Sequence, residues 1–417
     1  MYEKRLRSHH DSSAALSGIL EKYTEKKEVN KKDFEEIMSR KGENDKRVVY
    51  FHIPYCDTLC TFCNLNRELL KGNMDGYADY LISEIEEYGN SAYVKSKPFD
   101  AFYFGGGTPT TFSENNLKRI LGAITDKYEY SDDYEFTFET TVHNLTREKI
   151  NILNDFGVNR ISIGVQTFSD RGRKLLNRTF DSKELLKKIN EIRKTFRGLI
   201  CIDIIYSYPG ETDEEVINDA KTAGQIPADS ISFYPLMIHN GSALHKMIEE
   251  KRVIFERTNE TEMKLHNLFL ENLDKNYNVL ELSKVKYKNN DRYRYITLRY
   301  DNADTLPVGI GSGGRIGNIG IYNMNPKMSF YSYTDEKSLF YNKVLGKMQY
   351  GIYDMKYFEN IMKENTFEKF SEKINNLYSE GFFYKYEEKY ILNGEGIFWG
   401  NNIAVDLLGL IIESEFK

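Results

Sequence analysis

From about residue 47 onward, short apolar runs alternate with longer stretches whose apolar positions recur every three or four residues. Residues 48–53 predict a strand, followed by a cysteine-bearing loop and an amphipathic helix over 77–88. Further strands are predicted at 99–104, 134–139, 159–165, 199–205 and 230–234, each followed by a loop and a helix-like segment. Six such β-α units in a row predict a parallel sheet, and parallel sheets of this kind are barrels or doubly wound sheets.

The flanks read differently. Residues 1–47 are polar and charge-rich, with helical periodicity around 13–23 and 32–39, and form an expected N-terminal arm. Residues 48–240 are the expected core and 241–364 an extension on the substrate side, with a helix near 260–273 and a Tyr/Arg-rich stretch. Residues 365–417 give a helix over 367–380, a hairpin over 382–392 and a helix from 403, the order of a small winged-helix-like accessory domain. There is no repeat of solenoid length.

Barrels carry their chemistry on the loops after the C-terminal ends of strands. Cys56, Cys60 and Cys63 follow the first predicted strand, and Gly105, Gly106, Gly107 and Thr108 the second. Glu139 ends the third, Gln166 the fourth, and Asp203 lies in the fifth. Each of these alone has a structural explanation, but polar groups gathered towards one rim favour a shared site.

The cysteines are spaced C-x3-C-x2-C. Three thiolates can hold a cubane [4Fe-4S] cluster and leave one iron open to a small molecule. Structural zinc also takes thiolates, but closes its sphere with a fourth Cys or His. The remaining cysteine, Cys201, lies in an apolar run that reads as a buried strand, where a thiol behaves as a small hydrophobe. Four cysteines in 417 residues make a poor disulfide framework, and their close spacing points to a reduced compartment.

Composition changes this picture only at its edges. No N-terminal segment has the order of a signal peptide, and nothing approaches the roughly 18 uninterrupted apolar residues of a membrane span, so a cytoplasmic protein is expected. A formal net charge of −6 argues against bulk affinity for nucleic acid. With 31 Tyr and 25 Phe the chain has ample flat aromatic surface, which lends weak support to a flat ligand because most of it is ordinary core.

The cysteine run with its flank Tyr50-Phe-His-Ile-Pro-Tyr-Cys56 resembles the signature of radical S-adenosylmethionine enzymes. Together with Phe104-Gly-Gly-Gly-Thr-Pro-Thr110, Ile161-Ser-Ile-Gly-Val-Gln166, Asn177-Arg178 and Ile202-Asp203 it resembles the branch typified by oxygen-independent coproporphyrinogen III oxidase, the HemN type. The stretches Gly309 to Gly317 and Asn393 to Ile403 extend that similarity to anaerobic haem-degrading methyltransferases of the ChuW/HutW type.

The resemblance implies an incomplete (β/α)6 TIM-like barrel with a [4Fe-4S] cluster on Cys56, Cys60 and Cys63. Its open iron would chelate S-adenosylmethionine, whose one-electron cleavage gives a 5'-deoxyadenosyl radical. Tyr50, Phe62, the glycines 105–107, Thr108 and Glu139 match positions around that molecule. Gln166, Arg178 and Asp203 match positions holding a second S-adenosylmethionine. Two cofactors imply radical methyl transfer, with haem or a related tetrapyrrole as substrate and a flavodoxin- or ferredoxin-type electron donor. Methylation or cyclopropanation of another unsaturated scaffold, and haem carriage without turnover, are the alternatives.

Departures lie near the site. The oxidase carries a further cysteine two places beyond the third cluster ligand, where this chain has Asn64-Leu65-Asn66-Arg67. Thr140-Thr-Val-His143 also differs from the usual wording. The stretch Tyr287, Arg292, Tyr293, Arg294, Tyr295, Arg299 and Tyr300 suits a flat ligand bearing carboxylates, or an exposed strand pair with cross-strand Tyr and Arg. His143, His239 and His245 are candidate iron ligands, though a lone histidine is more often structural.

Overall fold

A computed structural model describes residues 2–63 and 68–416. The segment Asn64–Arg67, which carries the departure after the third cysteine, lies outside the described residues. Six parallel strands run in chain order across the sheet: β1 (Arg47–Ile53), β2 (Phe99–Gly106), β3 (Tyr130–Thr140), β4 (Arg160–Gln166), β5 (Leu199–Tyr206) and β6 (Ser230–Pro235). Strands β1 and β6 do not pair, so the barrel stays open. Beyond β1 the strand Asp304–Val308 joins in parallel, followed by the antiparallel strands Gly313–Ile316, Ile319–Asn325 and Met328–Tyr333. Beyond β6 lie Lys284–Tyr287 and Tyr277–Glu281.

The period-two pattern of the strands explains both faces of the barrel. Phe51, Phe102, Phe104, Phe136, Phe138, Ile161, Ile200 and Ile231 point outward and are buried under the helices. The alternate positions point inward and are mostly polar: Tyr50 and His52, Tyr103, Glu135 and Glu139, Arg160 and Ser162, Asp203, Ser232. Many of the helices start at a side-chain cap, as where Ser113 accepts from Asn116 N at the start of Glu114–Lys127.

Of the Tyr/Arg stretch only Tyr287 ends a strand, paired with Tyr277; the rest is not a strand pair. Tyr293 takes a left-handed conformation, φ 45°, and launches the short helix Arg294–Tyr300 into the lower end of the barrel. Tyr295 there stacks on Tyr103, ring centroids 4.3 Å apart, and the Glu135 carboxylate accepts from the Arg294 and Tyr295 amides at 2.8 and 3.3 Å. Beside it Asp291 pairs with Arg160 at 2.8 Å, both side chains buried. The Tyr and Arg pattern is therefore a plug with barrel partners such as Arg160, Glu135 and Tyr103, more than 130 positions away.

A second apolar cluster joins the helices Glu364–Ser379 and Gly400–Phe416 to the hairpin Phe383–Tyr386 and Lys389–Leu392, the expected helix, hairpin and helix order. Leu16 and Leu20 of the arm helix His9–Leu20 pack into the same cluster. Trp399 is buried there and lies 5.6 Å from the Tyr2 ring, so it anchors the arm as well as the terminal helices. Among the described residues, no helix is long and apolar enough to cross a membrane.

Candidate active site

At the C-terminal ends of β2 to β6 a cavity of about 460 Å³ opens, within the size range of small-molecule sites. Cys56, Cys60, Phe62, Cys63, Gly106, Gly107, Thr108, Glu139, Gln166, Arg178 and Asp203 all line it. Tyr50 and Gly105 do not. Tyr50 sits deeper, its hydroxyl 2.9 Å from His52 Nδ1. Gly105 packs beside Glu139 and Tyr103, either of which an added Cβ would meet at 3.0 Å.

The glycine turn braces the cysteine loop. Gly107 N donates to the Ile53 carbonyl at 2.6 Å and Thr108 N to the Tyr55 carbonyl at 2.8 Å, while Thr108 Oγ1 lies 3.5 Å from Cys56 Sγ. Gly106 has φ 105°, and a Cβ there would press into the His52 ring. Gly106 N also donates to Glu139 Oε2 at 3.3 Å. The close approach that glycine allows is thus used, at least in part, by the protein itself.

Glu139 stands on β3 with Oε1 accepting from the Tyr103 hydroxyl at 2.6 Å. Burial raises its carboxyl to about pH 7, with the bond from Tyr103 pulling the other way. On β4 a bulge between Gly164 and Gln166 leaves Gln166 at φ 75°, which turns its amide towards the cavity wall. Arg178 donates Nη1 to Cys60 Sγ at 2.9 Å and Nη2 to the Gly164 carbonyl. Asp203 on β5 accepts from Ser162 Oγ at 3.3 Å.

These groups fit an iron-sulfur cluster better than a closed zinc site. Three sulfurs border one cavity, and the fourth, Cys201, is buried lower in the barrel, 3.3 Å from Lys284 Nζ. Tetrahedral zinc draws four ligands to about 2 Å from one ion. Among the described residues no three His, Cys, Asp or Glu side chains converge in that way. A cubane instead offers each thiolate its own iron.

Sequence reasoning missed the wall opposite the cysteines. Arg7, Ser8, His9 and His10 of the arm line the cavity, as do Glu281, Lys284 and Asn401. The arm is held by Glu262, a buried carboxylate that pairs with Arg5, Arg7 and Arg257. Asn401 accepts from Ser12 Oγ and Asn402 from Leu6 N, both at 2.8 Å. Of the histidines considered from sequence, His143 and His239 reach the cavity. His245 instead pairs with Glu249 at 3.4 Å, away from it.

Residues 50–223 match the model of the Radical SAM superfamily. An anaerobilin synthase of Escherichia coli O157:H7 is 32% identical over 297 residues, covering 70% of this chain and 65% of that protein, just under two thirds of its length. The heme chaperone HemW of Lactococcus lactis is 27% identical over 369 residues, covering 85% of this chain and 95% of that one. The solved structure of the Escherichia coli coproporphyrinogen III oxidase, described as a radical SAM enzyme, superposes with a TM-score of 0.76 at 18% identity, over 93% of this chain and 97% of the other, and so shares the fold.

Proposed function

Because the chain belongs to the radical SAM superfamily, whose members use a [4Fe-4S] cluster and S-adenosylmethionine, we propose that it is a methyltransferase acting on haem or a related tetrapyrrole with two S-adenosylmethionines. One observation carries this reading. The three cysteines share one cavity with Glu139, Gln166, Arg178 and Asp203.

When bound on Cys56, Cys60 and Cys63, the cluster supplies an electron that breaks a carbon-sulfur bond, drawn from a flavodoxin- or ferredoxin-type donor. The chain's own residues do the placing. Glu139, held by Tyr103, accepts from the ribose or ammonium group of the first cofactor. Asp203 and Gln166 hold the second, and Arg178 ties that set to the cysteine loop.

Haem carriage without turnover is the second reading, favoured by the match to nearly the whole length of the heme chaperone from Lactococcus lactis. One anaerobic experiment separates the two. Cluster-loaded protein is mixed with haem, S-adenosylmethionine and reduced flavodoxin, and products are followed by the Soret band and mass spectrometry. A methylated, ring-opened tetrapyrrole supports methyl transfer. Tight haem binding with no cofactor consumed supports carriage. S-adenosylhomocysteine formed beside unchanged haem refutes haem as the substrate and leaves another unsaturated scaffold.

A further inference from the structure

The first turn of the arm helix sets His9 and His10 on the cavity wall with ring centroids 4.0 Å apart. Among the described residues neither ring has a hydrogen-bond or ion-pair partner; His10 is exposed, whereas His9 is partly buried on the wall. Burial, the neighbouring ring and the positive charge of Arg299 keep His9 neutral, with its pKa lowered to about 3. Neutral imidazole is the form that binds metal.

Arg299 lies near enough for its charge to act on His9, although it is exposed and is not among the cavity-lining residues. Its printed contacts are a 3.4 Å bond to the Tyr295 hydroxyl and the face of that ring at 5.3 Å, and among the described residues no carboxylate lies within ion-pair distance. A neutral imidazole offers a nitrogen lone pair to a metal, and a guanidinium offers paired donors to a carboxylate. His143 is otherwise engaged, with Nε2 on Asp57 at 3.0 Å and Nδ1 near the Thr141 and Thr179 hydroxyls. His9 also meets Tyr300 edge-on, ring centroids 6.4 Å apart, which fixes its ring on the Arg299 side.

We propose that His9 and Arg299 form the subsite for a metal complex bearing carboxylates, with the His9 imidazole binding the metal and Arg299 pairing with a carboxylate. This rests on the tetrapyrrole reading for the identity of the complex, and on side-chain chemistry alone for the metal.

The test is a titration of full-length, cluster-loaded protein with ferric haem, with metal-free protoporphyrin and with free nickel. Wild type is expected to give an imidazole-ligated Soret band. His9→Ala is expected to lose that band and about tenfold or more in haem affinity, with added imidazole restoring the spectrum, while its affinity for metal-free protoporphyrin is unchanged. Arg299→Gln is expected to weaken both porphyrins alike. His245→Ala, off the cavity, is the control, and circular dichroism melts confirm that each variant folds. An unchanged band in His9→Ala, or one lost only in His143→Ala or His239→Ala, overturns the proposal. If wild type binds no haem, the tetrapyrrole reading fails; nickel bound in a His9-dependent way would still support the metal subsite, and no nickel would overturn it.

Discussion

The guanidinium of Arg178 reaches 2.9 Å from the sulfur of Cys60 while its other nitrogen holds the Gly164 carbonyl, so one side chain joins the cysteine loop to β4. The same side chain shares the cavity wall with Gln166 and Asp203. Arg178→Gln removes the charge but no thiol. Iron and sulfide per chain should match wild type, while cofactor-dependent turnover falls about 10- to 100-fold, the weight of a hydrogen bond to a charged group. Arg178→Lys keeps charge without the planar fork and should fall between. Loss of cluster iron in Arg178→Gln would assign the residue to cluster retention instead.

Glu139 makes the site pH-dependent. Burial raises its carboxyl from 4.5 to about 7, so the folded state holds the proton more tightly than the unfolded one. The contribution of Glu139 to stability is therefore fully present below about pH 4.5, declines as pH rises to 7, and is flat above. Glu139→Gln should remove a loss of about 3 kcal/mol at most between those limits, read from urea midpoints of cluster-free protein near pH 5 and pH 7.5. Asp219, also raised to about 7 by burial, contributes equally to both proteins and cancels in the comparison. S-adenosylmethionine binding should run the other way, tightening as Glu139 ionises through pH 7 in wild type and staying level in the variant.

Glu262 is the lock of the arm. Its buried carboxylate accepts from Arg7 at 2.9 and 3.1 Å across 255 positions of sequence and also pairs with Arg5 and Arg257. Glu262→Gln leaves three guanidinium groups without their anion and should cost about 3–5 kcal/mol. Limited proteolysis is expected to cut residues near the arm far faster in the variant, with the barrel fragment intact. Equal cleavage rates in the two proteins would mean that Leu16, Leu20 and Tyr2 hold the arm without the ion cluster.

The barrel was legible because its signal is local. Short apolar runs alternating with helix-like stretches predicted all six strands, and the observed β1 and β5 extend the reading by one residue each. Motif positions were legible to the extent that they end strands, which is why Glu139, Gln166 and Asp203 fall on one cavity. The strand Asp304–Val308 was hidden by Pro307 and the glycine-rich run behind it, both poor strand signals. The helix Arg294–Tyr300 was hidden because its stability lies in Glu135, Tyr103 and Asp133, none of which its own sequence can reveal. The arm posed the same problem: Arg5 and Arg7 look like ordinary surface charge until Glu262 docks them.

Gly107 tests whether the turn, rather than the cysteines alone, sets the cluster site. A Cβ there would run into the Tyr55 carbonyl and lie 2.8 Å from that of Ile53, and backbone carbonyls cannot swing aside as a flexible side chain can. Both carbonyls belong to the segment leading into Cys56, which Thr108 touches through its hydroxyl. Gly107→Ala must therefore displace the strand end that aims the first cysteine. Anaerobically reconstituted Gly107→Ala should retain clearly less iron and sulfide per chain than wild type, with a destabilisation of about 1–3 kcal/mol from the forced shift. Gly76→Ala gives the contrast: that glycine sits in the helix Asp75–Gly89 with open space around it, and alanine there should be neutral or stabilising by up to about 1 kcal/mol. Wild-type iron content in Gly107→Ala would mean that the cysteine loop finds its geometry without the glycine turn.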